Sequence, residues 1–505
     1  MYSRAVSLPR LFAPTFRDRP HQVALEWACQ EYTFADLDQR ANRMAAALTV
    51  RGLTRGDRLA LYLPNRLEYL DLFLAATRLG VIVVPINVLY RERELGHILR
   101  DATPKAVVAA ELKFGPAYAT ATSITTEEAA MASAEWQVDE LAAEAARLPA
   151  TAIDTSALDD SAPAALIYTS GTTGPAKGAV ITHGNLAANA RNLVASWHIT
   201  ADDRFLLALP LFHAHGLGNG IHCWLLTGCR TRLLERFDRV SAAETFVDFR
   251  PTLFFGVPTM YVRMLEIDEP AAREIGSRLR LCVSGSAPLA AQVLEDFDAR
   301  FGQRILERYG MTETLMTLSN PYEGERRAGT VGKPLSGVDA RILDEHGVDV
   351  ADGVTGELHV KSPTLFAGYW NRPDATKAAF RDGWFATGDL AVRSADGYYT
   401  LCGRRSDLII AGGFNIYPRE IEELLAEHPA VAEVAVVGSP DPVKGEVPVA
   451  FVVPRPDASQ DGSALLAWCR DRLASFKVPR EVRFLDALPR NAMGKVEKKR
   501  LQNQC

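Results

Sequence analysis

Short apolar runs alternate with amphipathic stretches along most of this chain: LALYL (59–63), VIVVPI (81–86), AVVAA (106–110), AALIYTS (164–170), FLLALP (205–210), TLFFGV (252–257) and LRLCVSG (279–285). Runs this short, bounded by turn residues, suit strands buried on both faces under covering helices. An α/β protein is expected, with a large N-terminal domain of mixed sheets covered by helices. Phe34–Arg51 and Asn185–Trp197 have helical patterning, the second preceded by Thr182 as a candidate cap. Between Glu111 and Pro163 the chain turns rich in Ala, Thr, Ser and acidic residues, which predicts a peripheral helix and surface loops. From Gly403 the elements shorten: DLIIAGG, a helix over 418–425, VAEVAVVGS, PVAFVVP, a helix over 464–473 and EVRFLDALP. The expected division is therefore 1–403 and a small α+β domain over 404–505.

Composition narrows the function classes. With 48% apolar, 23% charged and 8% aromatic residues the 505-residue chain has globular proportions. Its net charge of −6 leaves no electrostatic footprint for nucleic acid or an anionic membrane. The seven cysteines (Cys29, Cys223, Cys229, Cys282, Cys402, Cys469, Cys505) are scattered and never form a CxxC pair, so neither a disulfide framework nor a zinc site is expected. No signal peptide and no run of 18 apolar residues is evident. A protein of the reducing cytoplasm, monomer or homodimer, is the expectation.

The sharpest chemical signal is 169-TSGTTGPAKG-178, directly after the strand AALIY. Thr169, Ser170, Gly171, Thr172, Thr173 and Gly174 combine small residues that let backbone approach an anion with hydroxyl donors, and Lys177 adds charge. That is phosphate-binding chemistry. A Walker loop needs GK followed by Ser or Thr, whereas Lys177 stands between Ala176 and Gly178.

With this motif the sequence resembles the acyl-adenylate-forming superfamily, which includes acyl- and aryl-CoA ligases, luciferase-like enzymes and peptide-synthetase adenylation domains. Six further motifs stand in that family's order: LPLFHAHGL (209–217), SGSAPL (284–289), ERYGMTET (307–314), TGDL (387–390), GRRSDLIIAGGFNIYP (403–418) and PRNAMGKV (489–496). The resemblance implies a reaction in two halves. A carboxylic acid attacks the α-phosphate of ATP with Mg²⁺, giving an acyl-adenylate and pyrophosphate, and the thiol of CoA then displaces AMP. It implies nucleotide contacts from Ser286, Ala287 and Pro288, and from Glu307, Arg308, Tyr309, Gly310, Met311 and Thr312, with Tyr309 stacked on the purine. Glu313 would be the Mg²⁺ ligand, Asp389 and Arg404 ribose or phosphate contacts, and Lys495 the catalytic cation of the first half-reaction. Gly412 and Gly413 would line the CoA tunnel after the small domain rotates, the hinge falling at Arg405, Ser406 or Asp407. Pro175 stands one position earlier than the family's usual proline, which implies a slightly altered phosphate loop.

The family's acyl pocket maps onto His213, His215, Asn219, Ser286, Met311 and Met316, a polar set suited to a short or polar acid. His213 is also a candidate catalytic residue. LPLFHAHGL, GVPTMYVRM, SGSAPL and the residues after YGMTE most resemble malonyl-CoA and methylmalonyl-CoA synthetases, which must pair a second carboxylate. Arginine suits that task; Arg263 is the first choice, with Arg280 and Arg236 as alternatives. An aryl- or medium-chain acyl-CoA ligase, a stand-alone adenylation enzyme loading a carrier protein, and a luciferase-like oxygenase remain the competing readings.

Overall fold

The computed structural model of the chain describes residues 6–111, 134–169, 176–411, 414–441, 444–473, 475–491 and 494–504. It packs as two compact units. The first takes in residues 1–328, 332–339 and 361–383; the second takes in 329–331, 340–360 and 384–505.

Two sheets make the first unit. One has nine strands in the order Lys333–Pro334, Leu315–Ser319, Leu306–Met311, Leu281–Ser284, Leu253–Gly256, Arg204–Leu207, Arg230–Leu233, Val23–Trp27, Gln30–Thr33. Its middle strands are parallel, in register Leu253↔Leu281 and Val283↔Leu306, and buried on both faces, as the apolar runs require. The other sheet has seven strands in the order Gly368–Tyr369, Lys177–Thr182, Pro163–Thr169, Ile82–Pro85, Arg58–Tyr62, Ala106–Ala109, Ala134–Gln137. All seven apolar runs are strands, and the family's mixed, helix-covered architecture is present.

The helices form where capping and patterning agree. Phe34–Val50 starts at a capping box between Thr33 and Asp36, and His183–Ser196 starts at Thr182, whose hydroxyl accepts from Asn185 N at 3.1 Å. The Glu111–Pro163 stretch departs from expectation in one respect. Besides the helix Val138–Ala146 it contributes the edge strand Ala134–Gln137, which pairs parallel with Ala106–Ala109. Only Trp136 of that strand is buried, too little apolar signal to mark a strand in the sequence.

In the second unit Gly356–Lys361 pairs antiparallel with Trp384–Arg393, which pairs in turn with Tyr399–Arg404. A separate sheet joins Phe414–Ile416, Ile409–Ala411, Gly445–Pro454 and Val431–Asp441, with Glu481–Phe484 parallel to Gly445–Pro454. The helices Pro418–Ala426 and Gly462–Arg470 cover it through Ile421, Leu425, Leu465 and Cys469. Among the described residues no helix is long and apolar enough to cross a membrane.

Candidate active site

Three groups of expected site residues are assembled, two in the first unit and one in the second. The phosphate-loop motif bridges an antiparallel hairpin in which Thr169 faces Lys177 and Tyr168 faces Gly178. Ser170, Gly171, Thr172, Thr173 and Gly174 lie outside the described residues. Gly178 has a steric reason: a Cβ there would stand 3.0 Å from the Tyr168 ring. The exit of the loop is held by His97, whose Nε2 lies 2.6 Å from the Ala176 carbonyl, and Tyr168 donates to Asp101 at 2.7 Å. Glu313 converges on the hairpin end. Its Oε1 accepts from Tyr369 Oη at 3.0 Å and from Thr169 Oγ1 at 3.4 Å, and Lys177 Nζ lies 4.7 Å from the centre of the Tyr369 ring.

The second group surrounds the strand Leu306–Met311. Adjacent side chains on a strand point to opposite faces, and here both charged neighbours are buried: Glu307 is 2% and Arg308 3% exposed. Glu307 Oε1 accepts from Leu289 N at 3.0 Å, tying the Ser286–Leu289 turn to the strand. Arg308 lies over Gly285, where a Cβ would overlap the guanidinium. Its Nε and Nη2 have no hydrogen-bond partner among the described residues. Burial pulls its pKa down to about 9. Close by, Ser286 sits at φ 70°, a left-handed conformation uncommon for a serine, and its Oγ lies 3.2 Å from His215 Nδ1. Burial, with Arg308 and His213 nearby, holds His215 neutral, its pKa well below the usual imidazole value. His215 opens a π-helical stretch, His215–Ile221, a geometry frequent at functional sites. His213 is half-buried, and its Nδ1 faces His215 N at 3.5 Å.

Tyr309 is 8% exposed with its hydroxyl 3.9 Å from Met311 Sδ. Gly310 is enforced, because a Cβ would collide with the Leu315 carbonyl. Met311 and Thr312 are partly buried, whereas Ala287 and Pro288 are exposed. Met316 and Asn219 are buried, and Asn189 links them, accepting from Met316 N at 3.1 Å and donating to Asn219 Oδ1 at 3.0 Å.

The arginines singled out for a second carboxylate are not brought to this group. Arg263 is exposed on the helix Pro258–Met264, which turns Tyr261 and Met264 inward. Arg236 is exposed as well. Arg280 is committed to Asp203, to which its Nε donates at 2.7 Å. Arg308, expected at the nucleotide, is the buried guanidinium beside His215 and Ser286. Its signal in the sequence was a charged pair, Glu307–Arg308, inside a buried strand.

In the second unit Asp389 and Arg404 face each other across paired strands, with Arg404 Nε 2.7 Å from Asp389 Oδ1. A 3₁₀ turn over Arg405–Asp407 follows at once. Lys495 is exposed on a tight turn, its N–H donating to Asn491 Oδ1 at 3.0 Å and its carbonyl accepting from Asn491 N at 2.8 Å. Gly412 and Gly413 lie outside the described residues.

The profile of the AMP-binding enzyme family matches residues 12–370, and that of the AMP-binding enzyme C-terminal domain matches 420–495. The chain belongs to this family and is an ATP-dependent acid–thiol ligase of the acyl-CoA synthetase class. It is 37% identical to feruloyl-CoA synthase of Amycolatopsis sp, over 95% of this chain and 96% of that one. It is likewise 37% identical to malonate–CoA ligase of Arabidopsis thaliana, over 89% of this chain and 78% of the relative. Among solved structures, ATP-bound MatB from Rhodopseudomonas palustris superposes with a TM-score of 0.90 at 39% identity, covering 99% of each chain.

Proposed function

We propose that this ligase activates a short dicarboxylic acid, malonate or methylmalonate, through an acyl-AMP intermediate to the CoA thioester. The observation that carries this reading is Arg308. A guanidinium withdrawn from water, with Nε and Nη2 lacking hydrogen-bond partners among the described residues, costs several kcal/mol, and an acid bearing a second anionic group repays that cost. Its planar fork matches a carboxylate, and Ser286 Oγ and neutral His215 supply further polar contacts. An acid without the second anion leaves the cation bare. The similarity to a malonate–CoA ligase supports the same substrate class.

The remaining residues take roles around the ATP. The hairpin of Thr169 and Lys177 holds the polyphosphate, and Tyr309 and the Ser286–Pro288 turn wall the adenine. Asp389, which already orders Arg404, accepts from the ribose hydroxyls. Glu313 suits Mg²⁺: it is a hard carboxylate, 5% exposed, with hydroxyl partners and, among the described residues, no ion pair to a lysine or arginine. When bound, Mg²⁺ neutralises phosphate charge as a Lewis acid. Lys495 stabilises charge as the acid attacks the α-phosphate, His213 and Met311 line the acyl side, and residues 404–505 turn about Arg405, Ser406 or Asp407 to present Gly412 and Gly413 to CoA.

The test is a panel of acids assayed by AMP release. Malonate and methylmalonate should exceed acetate and butyrate by at least about 100-fold in kcat/KM. Preference for ferulate, benzoate or octanoate over malonate would overturn the substrate and leave the ligase class standing.

A further inference from the structure

A lysine and a carboxylate meet at the end of the Thr169–Lys177 hairpin without forming an ion pair. Thr169 and Lys177 are register partners, and the Thr169 hydroxyl reaches Glu313 at 3.4 Å. The lysine's flexible stem is therefore rooted opposite a residue that already touches the acid. Yet Lys177 Nζ rests on the Tyr369 ring, 4.7 Å from its centre, and the same tyrosine's hydroxyl donates to Glu313 Oε1 at 3.0 Å. One side chain thus occupies the space between the two charges and engages both.

Tyr369 is held there from several sides. Its strand pairs antiparallel with Lys177–Thr182, Tyr369 opposite Ala179, and Trp370 N donates to Gly178 O at 2.8 Å. Phe366 N donates to the Glu313 carbonyl at 2.8 Å, and the Phe366 ring meets the Tyr369 ring edge-on, with centroids 4.8 Å apart. Tyr369 N donates to Thr376 Oγ1 at 2.8 Å. The segment Phe366–Trp370 stitches the Glu313 backbone to the strand that begins at Lys177.

We propose that Tyr369 is a positioning residue that keeps Lys177 and Glu313 from neutralising each other before ATP arrives. This rests on the reading of the hairpin and Glu313 as the Mg²⁺–polyphosphate site. A direct pair in this partly buried place would tie up the phosphate-seeking ammonium and the metal-seeking carboxylate together, and ATP would have to break it. A ring face and a phenol are weaker partners than an opposite charge. Each charge is held in place and remains available.

Equilibrium titration of ATP without Mg²⁺, by calorimetry, tests this without relying on turnover. Tyr369→Leu should weaken binding about five- to tenfold, as the released lysine closes on Glu313. Adding Glu313→Gln to Tyr369→Leu should restore binding to within about twofold of wild type, while Glu313→Gln alone should improve it far less. Tyr369→Phe, which keeps the ring between the charges, should bind ATP within about twofold of wild type. If Tyr369→Leu lowers the thermal midpoint sharply, Tyr369→Met takes its place in the same cycle. Effects of the two substitutions that simply multiply would overturn the inference. Failure of the wild-type protein to bind ATP would instead overturn the site reading itself.

Discussion

Arg308 shows how a residue can be visible in a sequence while its surroundings are not. The ERYG motif directed it to the nucleotide, and strand alternation alone said that Glu307 and Arg308 face opposite ways. The strand's place between Leu281–Ser284 and Leu315–Ser319, which buries both faces, was needed to put the guanidinium beside His215. Arg308→Met should lower malonate kcat/KM by at least about 100-fold with ATP affinity within about twofold of wild type. The same change should raise the thermal midpoint, because a buried charge whose Nε and Nη2 lack hydrogen-bond partners among the described residues gives way to a packed thioether. Arg263→Met, altering an exposed side chain, should leave malonate turnover near wild type. Lost ATP binding with malonate KM unchanged in Arg308→Met would return this arginine to the nucleotide. Lys495 needs a test by half-reactions. Lys495→Ala should abolish ATP–pyrophosphate exchange, at a cost of several kcal/mol in the transition state, and spare thioester formation from supplied acyl-adenylate. Equal loss of both halves would contradict its assignment.

Elements were legible wherever one local rule decided them. Thr182 is a cap in the sequence because a threonine precedes a helical pattern, and in the structure its hydroxyl accepts from Asn185 N. Thr182→Ala should cost about 1 kcal/mol in denaturant unfolding, and Thr182→Ser should recover most of it. A change below about 0.3 kcal/mol would mean that packing alone fixes the start of this helix. The helix covers its sheet through Leu186, Ala187, Ala190 and Leu193, a stripe that the sequence showed plainly. Other elements had no local rule to announce them. The π-helical His215–Ile221 lies where Gly216 packs so tightly against the Pro210 carbonyl that no Cβ fits, a contact between neighbouring segments that no residue pattern announces. The strand Ala134–Gln137 exists because Ala106–Ala109 offers it backbone partners. The pairing of Asp389 with Arg404 was likewise hidden, since strand register aligns residues that the sequence separates.

At the scale of the whole molecule, two buried histidines that serve no proposed chemistry couple the first unit's stability to pH. His183 and His222 are both 0% exposed, under the N-terminal helix Leu8–Asp18. Leu8 N donates to His183 Nδ1 at 3.3 Å, and His222 stacks on Phe12 with its Nδ1 3.2 Å from the Gly218 carbonyl. Burial pushes both down to about 4, and His183 lowers His222 further. A histidine whose folded pKa lies below its unfolded value binds more protons when unfolded in the window between them. Its contribution is therefore whole above about pH 6.5 and is lost as pH falls through 6.5 toward 4. Each site is worth at most about 3 kcal/mol across that window. Asp71, pushed up to about 6 by burial although Arg40 is bound to it, titrates there with the opposite sign. The informative quantity is thus the difference between wild type and His222→Gln, an uncharged side chain able to reach the Gly218 carbonyl. Between pH 7.5 and 4.5 the midpoint of the wild-type protein should fall more than that of the variant, with the gap opening below about pH 6.5. Parallel curves would show that His222 does not take up its proton on unfolding.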